Sequence, residues 1–318
     1  MPKAVAKDSV APNTDWSYIE KKLQQAKIKS SFIKELKRIY NHKDFTKVVE
    51  LNVLLYLRKS DYHGPQVTDS AVAHVRKFMK NNKSMLDLAK KRYGVDGATV
   101  ASLLWIESRH GENKGLFHVA SVYLHLLQAD RPVVIRYLKG QIPRYANRKA
   151  TKKMQADVTR RAKTKAKWAL AEIKAMRDMH RKHKGVLKGL YGSFSGAFGM
   201  PQFIPSSYVA LAKPAKTGTH PDLNRAKDAI MSVANYLKVN GWKQKLSRTH
   251  QKALMRYNNS SDYASAILKL ADQANPTPRN VSSRNKAAKS SRKPSSKAKL
   301  KAKTKAKSNS KSKSKKKP

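Results

Sequence analysis

Over the first 280 positions, apolar residues recur mainly three and four apart, the spacing that lines one face of a helix. Trp16, Ile19, Leu23 and Ala26 follow the capping candidates Thr14 and Asp15, and Phe32, Ile33, Leu36, Ile39 and Tyr40 follow Ser30 and Ser31. Asp69 opens a segment with Val72, Val75, Phe78 and Met79 on one side. Ser84 opens another, with Leu88 and Tyr93, that stops at Gly94. Further helices are predicted over 98–107, 117–127, 166–179, 226–239 and 263–270. Alternating runs are scarce, so the body is expected to be mainly α with any sheet small, and no internal repeat of fixed period is found.

Charge changes the picture at the C-terminus. Residues 281–318 hold 16 Lys/Arg and no acid, with Val281 and Leu300 their only large aliphatic residues. Such a segment cannot bury enough apolar surface to offset its ordering entropy, which predicts a disordered polybasic tail from 276 onward, punctuated by Pro276 and Pro278. Without it the chain still carries 53 basic and 20 acidic residues. The body is therefore basic in its own right and must attract polyanions: nucleic acid, anionic lipid or an anionic wall polymer. A second basic block near 140–167 sets ten Lys/Arg against the single acid Asp157. It reads either as the solvated face of a helix with its connecting loop, or as a surface that holds an anionic polymer.

The 318 residues include no cysteine, which excludes disulfides, Cys-ligated zinc and thiol catalysis. Residues 1–20 lack an apolar run of the length an export signal needs, so the chain as written is expected to be soluble without an address; a removed leader would leave the same appearance. The stretch nearest to a membrane span, 51–57, falls far short of one. His180 with His183, and His118 with His125, lack a nearby acidic third ligand and are assigned to surface or packing. No metal and no cofactor is expected.

Three elements carry candidate chemistry. The helix ending at Glu107 places Leu103 and Leu104 four and three residues before the carboxylate, so the acid starts from an apolar face. Desolvation there favours the neutral carboxyl, which suits a general acid near neutral pH. The segment 192–208, GSFSGAFGMPQFIPSSY, mixes three Gly and two Pro with aromatics. It predicts a tightly turned loop whose backbone a ligand can approach, with Ser193 and Gln202 as hydrogen-bonding groups. The segment 256–263, RYNNSSDY, adds aromatic faces and amides.

From 48 to 271, these elements in this order resemble the lytic transglycosylase B family of bacterial cell-wall enzymes. The Tyr93-Gly94-Val95, Glu107-Ser108-Arg109-His110-Gly111, 192–208, 228–242 and Tyr257-Asn258 segments carry the likeness. The resemblance implies a lysozyme-like catalytic core over 93–275, preceded by an N-terminal helical region, 14–92, and a flexible 1–13. It implies cleavage between N-acetylmuramic acid and N-acetylglucosamine with formation of a 1,6-anhydro end, Glu107 serving as the single acid and base. It also implies that Ser193 and Gln202 orient the acid and contact sugar, and that Tyr236, Tyr257, Asn258 and Tyr263 line the cleft. The plainer alternative makes the tyrosines core packing and Ser193 a turn hydroxyl.

Where some relatives carry a calcium loop, residues 213–222 lack alternating Asp/Asn ligands, so no calcium is expected there. Between Glu107 and Ser193 the chain exceeds the family pattern, and the excess falls on the 140–167 block. The implied partner is the peptidoglycan glycan strand, with anionic envelope polymers on the basic tail. The implied location is the cell envelope or periplasm, and the implied state a monomer. Competing readings are a nonspecific nucleic-acid-binding protein, a non-catalytic glycan module and a water-using muramidase.

Overall fold

A computed structural model describes residues 11–58 and 67–275. Its helices are α1 (Trp16–Gln25), α2 (Ser30–Ile39), α3 (Phe45–Leu54), α4 (Asp69–Asn81), α5 (Lys83–Tyr93), α6 (Gly97–Ser108), α7 (Val119–Leu127) and α8 (Pro132–Gly140). They continue with α9 (Ile142–Ala146), α10 (Lys152–Lys182), α11 (Pro205–Leu211), α12 (Ala226–Val239), α13 (Arg248–Tyr257) and α14 (Ser261–Ala274). Two short antiparallel strands, β1 (Phe117–His118) and β2 (Tyr191–Gly192), pair Phe117 with Gly192 and His118 with Tyr191. The fold is mainly α, as the periodicity predicts. The expected flexible N-terminus falls largely, and the expected disordered tail wholly, outside the described residues.

Local signals account for many helix ends. Asp15 caps α1 by accepting the Tyr18 N–H at 3.0 Å, and Thr68, Thr151 and Ser260 cap α4, α10 and α14 in the same way. Gly94 closes α5 in the left-handed region at φ 71°. Ser30 was expected to precede α2 as a cap. Lys29 holds that position instead, without a side-chain cap bond, and Ser30 is already helical.

Packing distributes the helices between two cores. One core joins α1, α2 and α3 to α7, α8, α9 and α10, and a second joins α4 and α5 to α6, α12, α13 and α14. The N-terminal helices therefore have no core of their own; they are shared between the two. Helix α6 is buried nearly all round, from Ala98 to Leu104, so its sequence shows no polar stripe. Among the described residues no helix is long and apolar enough to cross a membrane.

Helix α10 is much longer than the predicted 166–179. Met154, Val158, Ala162 and Ala166 are buried four apart and extend the apolar row of Ala169, Ile173 and Met176 toward the N-terminus. The lysines and arginines between them hide that row from a composition reading. The basic 140–167 block is thus the end of α8, α9 and the first half of α10, a helix face in water, with its apolar side on the first core.

Candidate active site

Glu107 lies in the last turn of α6, half-buried where the two cores meet. Arg109 and His110 both adopt positive φ, 51° and 56°, which ends the helix abruptly. Non-glycine residues hold such angles only where the surroundings over-determine them. Here His110 stacks on Phe78 with ring centres 4.0 Å apart and donates Nε2–H to the Ala101 carbonyl at 2.9 Å. Burial pushes its pKa down to about 4, so the ring is neutral and packs as a ring.

The glycine-bearing loop bridges the cores across this point. Ser108 Oγ donates to the Met200 carbonyl at 2.7 Å, and the Tyr257 hydroxyl donates to the next carbonyl, Pro201. At its other end the loop is held by Asn52 of α3, buried in the first core. Its Nδ2 donates to the Phe194 carbonyl at 2.9 Å, and its Oδ1 accepts from Ser195 Oγ at 3.1 Å. Gly196 stands at φ 76° with the Tyr123 ring where a Cβ would be, at 2.5 Å, so the turn admits no side chain there. Ser108, directly after the acid, and Tyr257, at the end of α13, therefore fix the loop against the acid.

Three aromatic hydroxyls build the wall beside Glu107. Tyr263, buried near the start of α14, donates to Glu107 Oε1. Tyr236 of α12 donates to the Arg256 carbonyl at 2.7 Å and lies 4.6 Å from the Tyr257 ring. Phe203 of the loop packs against both, at 5.6 and 5.9 Å. These contacts place a cluster of tilted, partly accessible aromatic rings next to a carboxyl group.

The electrostatics follow from burial. Desolvation raises the Glu107 pKa from 4.5 to about 7, opposed by the Tyr263 hydrogen bond, and no neighbouring charge contributes. The Tyr257 and Tyr263 hydroxyls are pushed well above 10, first by desolvation and then by the nearby carboxylate. They remain protonated donors. The site thus offers one carboxyl able to hold or release a proton near neutrality, inside a frame of fixed donors.

The residues singled out in the sequence are distributed as follows. Glu107 and Tyr263 are hydrogen-bonded, and Tyr236 and Tyr257 pack beside them with their rings tilted by 58°. Asn258 is exposed at the end of α13 and its amide makes no hydrogen bond among the described residues. Gln202, at φ 50°, uses Nε2 to bind the carbonyls of Gly199 (2.9 Å) and Lys114 (3.2 Å), leaving its amide oxygen as a free acceptor. Ser193 does not hydrogen-bond to Glu107. Its Oγ accepts the N–H groups of Ser195 and Ala197, at 3.3 and 3.2 Å, and so shapes the turn while keeping a hydroxyl proton to donate.

Three contributors were missed. Ser108 lies inside the Glu107-Ser108-Arg109-His110-Gly111 segment, whose order alone gives its hydroxyl no partner. Asn52 sits in the apolar run of α3, where a lone amide was itself the signal. Glu172, buried in α10, accepts both the N–H and the Oγ–H of Ser206 at 2.8 Å and so caps α11 directly after the loop.

Metal chemistry has no donor set among the described residues, where no cluster of three or more His, Cys, Asp or Glu occurs. Across 213–222 the Asp228 carboxylate accepts the Ala215 and Asp222 N–H groups, at 2.7 and 2.8 Å, and ties the segment to α12. His118 and His125 are buried and neutral. The first bridges Ser121 and the Leu187 carbonyl, the second Tyr40 and the Lys43 carbonyl.

Comparison with known proteins converges on one family. Residues 5–251 match the family described as Transglycosylase SLT domain. Over 181 residues, 57% of this chain, the sequence is 40% identical to the membrane-bound lytic murein transglycosylase B of Escherichia coli (strain K12), and it spans only 41% of that relative's length. The fold is similar to the soluble lytic transglycosylase SltB1 from Pseudomonas aeruginosa, with a TM-score of 0.61, 19% identity, and coverage of 81% of this chain and 97% of that one. It is also similar to SltB3 from the same organism in complex with NAG-anhNAM-pentapeptide, with a TM-score of 0.59, 17% identity, and coverage of 81% and 78%.

Proposed function

The chain belongs to the Transglycosylase SLT domain family, and from that premise we propose that it is a peptidoglycan lytic transglycosylase with Glu107 as its only acid and base. The neutral Glu107 carboxyl donates its proton to the oxygen linking N-acetylmuramic acid to N-acetylglucosamine, and the bond from that oxygen to C1 breaks. The resulting carboxylate then takes the proton of the muramoyl 6-hydroxyl, whose oxygen closes onto C1. Glu107 ends as it began, water is not consumed, and a 1,6-anhydro end is left. An ordinary glycosidase needs a second carboxylate to activate water or attack C1.

The observation that carries this reading is the isolation of the acid. Glu107 is held protonated by burial up to about pH 7, and no second charge influences it. Tyr263 positions the carboxyl, while Tyr236 and Tyr257 offer the aromatic surface on which a sugar ring packs. Gln202 Oε1, Asn258 and the Ser193 hydroxyl proton supply groups for sugar hydroxyls and acetamides. The presence of NAG-anhNAM-pentapeptide in the SltB3 complex supports both the substrate and the anhydro product. The place of action we infer is the cell envelope.

Digestion of purified sacculi, with the released fragments weighed by mass spectrometry, tests the proposal. Fragments with 1,6-anhydro ends are expected from the wild type and none from Glu107→Gln. Reducing ends would make the protein a water-using muramidase, and binding without release would make it a glycan-binding module.

A further inference from the structure

The basic block near 140–167 takes no part in the site described above, yet it is organised. Beside it lies a cavity of about 610 Å3 lined by Leu57, Arg58, Arg144, Tyr145, Ala146, Asn147 and Arg148. Three of these are arginines and none is acidic. The guanidinium groups of Arg58 and Arg144 stand over the Tyr145 ring, 4.8 and 5.2 Å from its centre. That ring is itself fixed, because its hydroxyl donates to the buried carboxylate of Glu50 at 3.0 Å, which Arg144 and Tyr137 also bind. Glu50 neutralises Arg144 only. Arg58 and Arg148 are exposed and form no ion pair among the described residues.

The positive surface continues from this cavity toward the cleft. Arg161 lies over the Tyr56 ring at 4.2 Å, and Lys165 Nζ is 3.4 Å from Asn52 Oδ1. Asn52 is the same residue that holds Phe194 and Ser195 of the glycine-bearing loop. Lys163 and Lys167 are exposed on this stretch of α10.

We propose that the arginine-lined cavity and the adjoining face of α10 bind the phosphodiester groups of a linear polyol phosphate polymer, at a surface separate from the glycan cleft. The guanidinium fork matches phosphate oxygens, and several forks converging on one cavity suit a tetrahedral anion, which offers oxygens in more than one plane. A planar carboxylate fills one fork. Tyr145 is buried beneath the guanidinium groups of Arg58 and Arg144, and Arg161 covers one face of the exposed Tyr56 ring, so the surface offers a nucleobase at most one aromatic face beside several cations. The surface therefore reads backbone charge.

The test uses the full chain, with its tail, and fluorescently labelled poly(glycerol phosphate) titrated at physiological ionic strength, where exposed charges are screened beyond about 8 Å. Arg58→Gln combined with Arg148→Gln is expected to weaken binding about tenfold, equivalent to about 1.4 kcal/mol. Lys91→Gln combined with Arg92→Gln removes the same charge from the exposed end of α5 and is expected to change affinity less than about twofold. Arg144 is left in place because its loss would strand buried Glu50. Thermal melts establish that both double variants are folded, and their turnover of short soluble glycans is expected to match the wild type. Equal weakening by both pairs would reduce the effect to net charge and overturn the proposal. Tighter binding of single-stranded DNA of equal charge would replace the polyol polymer with nucleic acid, and equal binding of polyglutamate would remove the preference for phosphate.

Discussion

The Tyr263 hydroxyl donates its hydrogen bond to Glu107 Oε1 across 156 residues of sequence, joining α14 to the end of α6. This bond stabilises the charged carboxylate, while burial stabilises the neutral acid, and burial prevails. The balance between the two decides when the acid carries its proton.

Tyr263→Phe removes the opposing influence, so the Glu107 pKa is expected to rise further above about 7. The alkaline limb of the kcat/KM profile should move to higher pH, and kcat should fall about tenfold as the carboxyl loses its fixed orientation. An unmoved limb with full kcat would reduce Tyr263 to packing.

Glu107→Gln is expected to stabilise the fold while abolishing release. The unfolded carboxyl ionises near 4.5 and the folded one near 7, so the native state binds more protons between these values and loses stability as pH rises through them. Below 4.5 the penalty is absent, and above 7 it is complete. Urea midpoints should show the variant more stable above pH 7 by on the order of 1–3 kcal/mol, with the gap closing in acid. A gap that stays constant with pH would contradict the buried-acid assignment.

His125 behaves in the opposite sense. Burial lowers its pKa from 6.5 to about 4, so the unfolded chain takes up the proton first. Stability present above pH 6.5 is lost as pH falls through about 4. His125→Gln is expected to flatten urea-midpoint dependence over that interval, whatever it does to absolute stability. A slope equal to that of the wild type would rule the residue out as a source of acid sensitivity.

Gly196→Ala forces a Cβ onto the Tyr123 ring at 2.5 Å and is expected to cost about 2–4 kcal/mol and disorder the loop. Gly218→Ala shares the positive φ, 80°, but meets nothing within 4 Å. Its cost should be only about 1–2 kcal/mol of backbone strain. Comparable melting shifts for the two would mean that the steric contact is unimportant.

Asn52→Leu releases the far end of the loop and is expected to raise KM several-fold while leaving the alkaline limb set by Glu107 in place. A shifted limb with unchanged KM would mean that Asn52 acts on the acid and leaves substrate binding alone.

Much of the architecture was open to a reading of the chain because helix-forming patterns are local. An apolar row repeating every three to four residues, a Thr or Asp cap and a terminal glycine act within a few residues of one another. Helix α12 accordingly runs over the predicted span. Where the row was diluted by lysines, as at Met154, Val158 and Ala162, the helix was under-read, since only burial distinguishes a sparse apolar face from a polar stretch. Helix α3 was not predicted: Glu50 and Asn52 lie buried among its apolar residues and interrupt the apolar face.

The sequence by itself determined the helical class, the basic surface, and the candidate acid with its glycine-bearing loop, for each depends on residues near one another in the chain. Tertiary structure alone decided that the N-terminal helices divide between two cores. It alone decided that Ser108 and Tyr257 grip successive carbonyls of the loop, and that Tyr263, with Ser193 elsewhere engaged, holds Glu107. Those relationships join positions tens to more than a hundred residues apart. A hydrogen bond depends on where the folded backbone brings donor and acceptor, and sequence order does not record that distance.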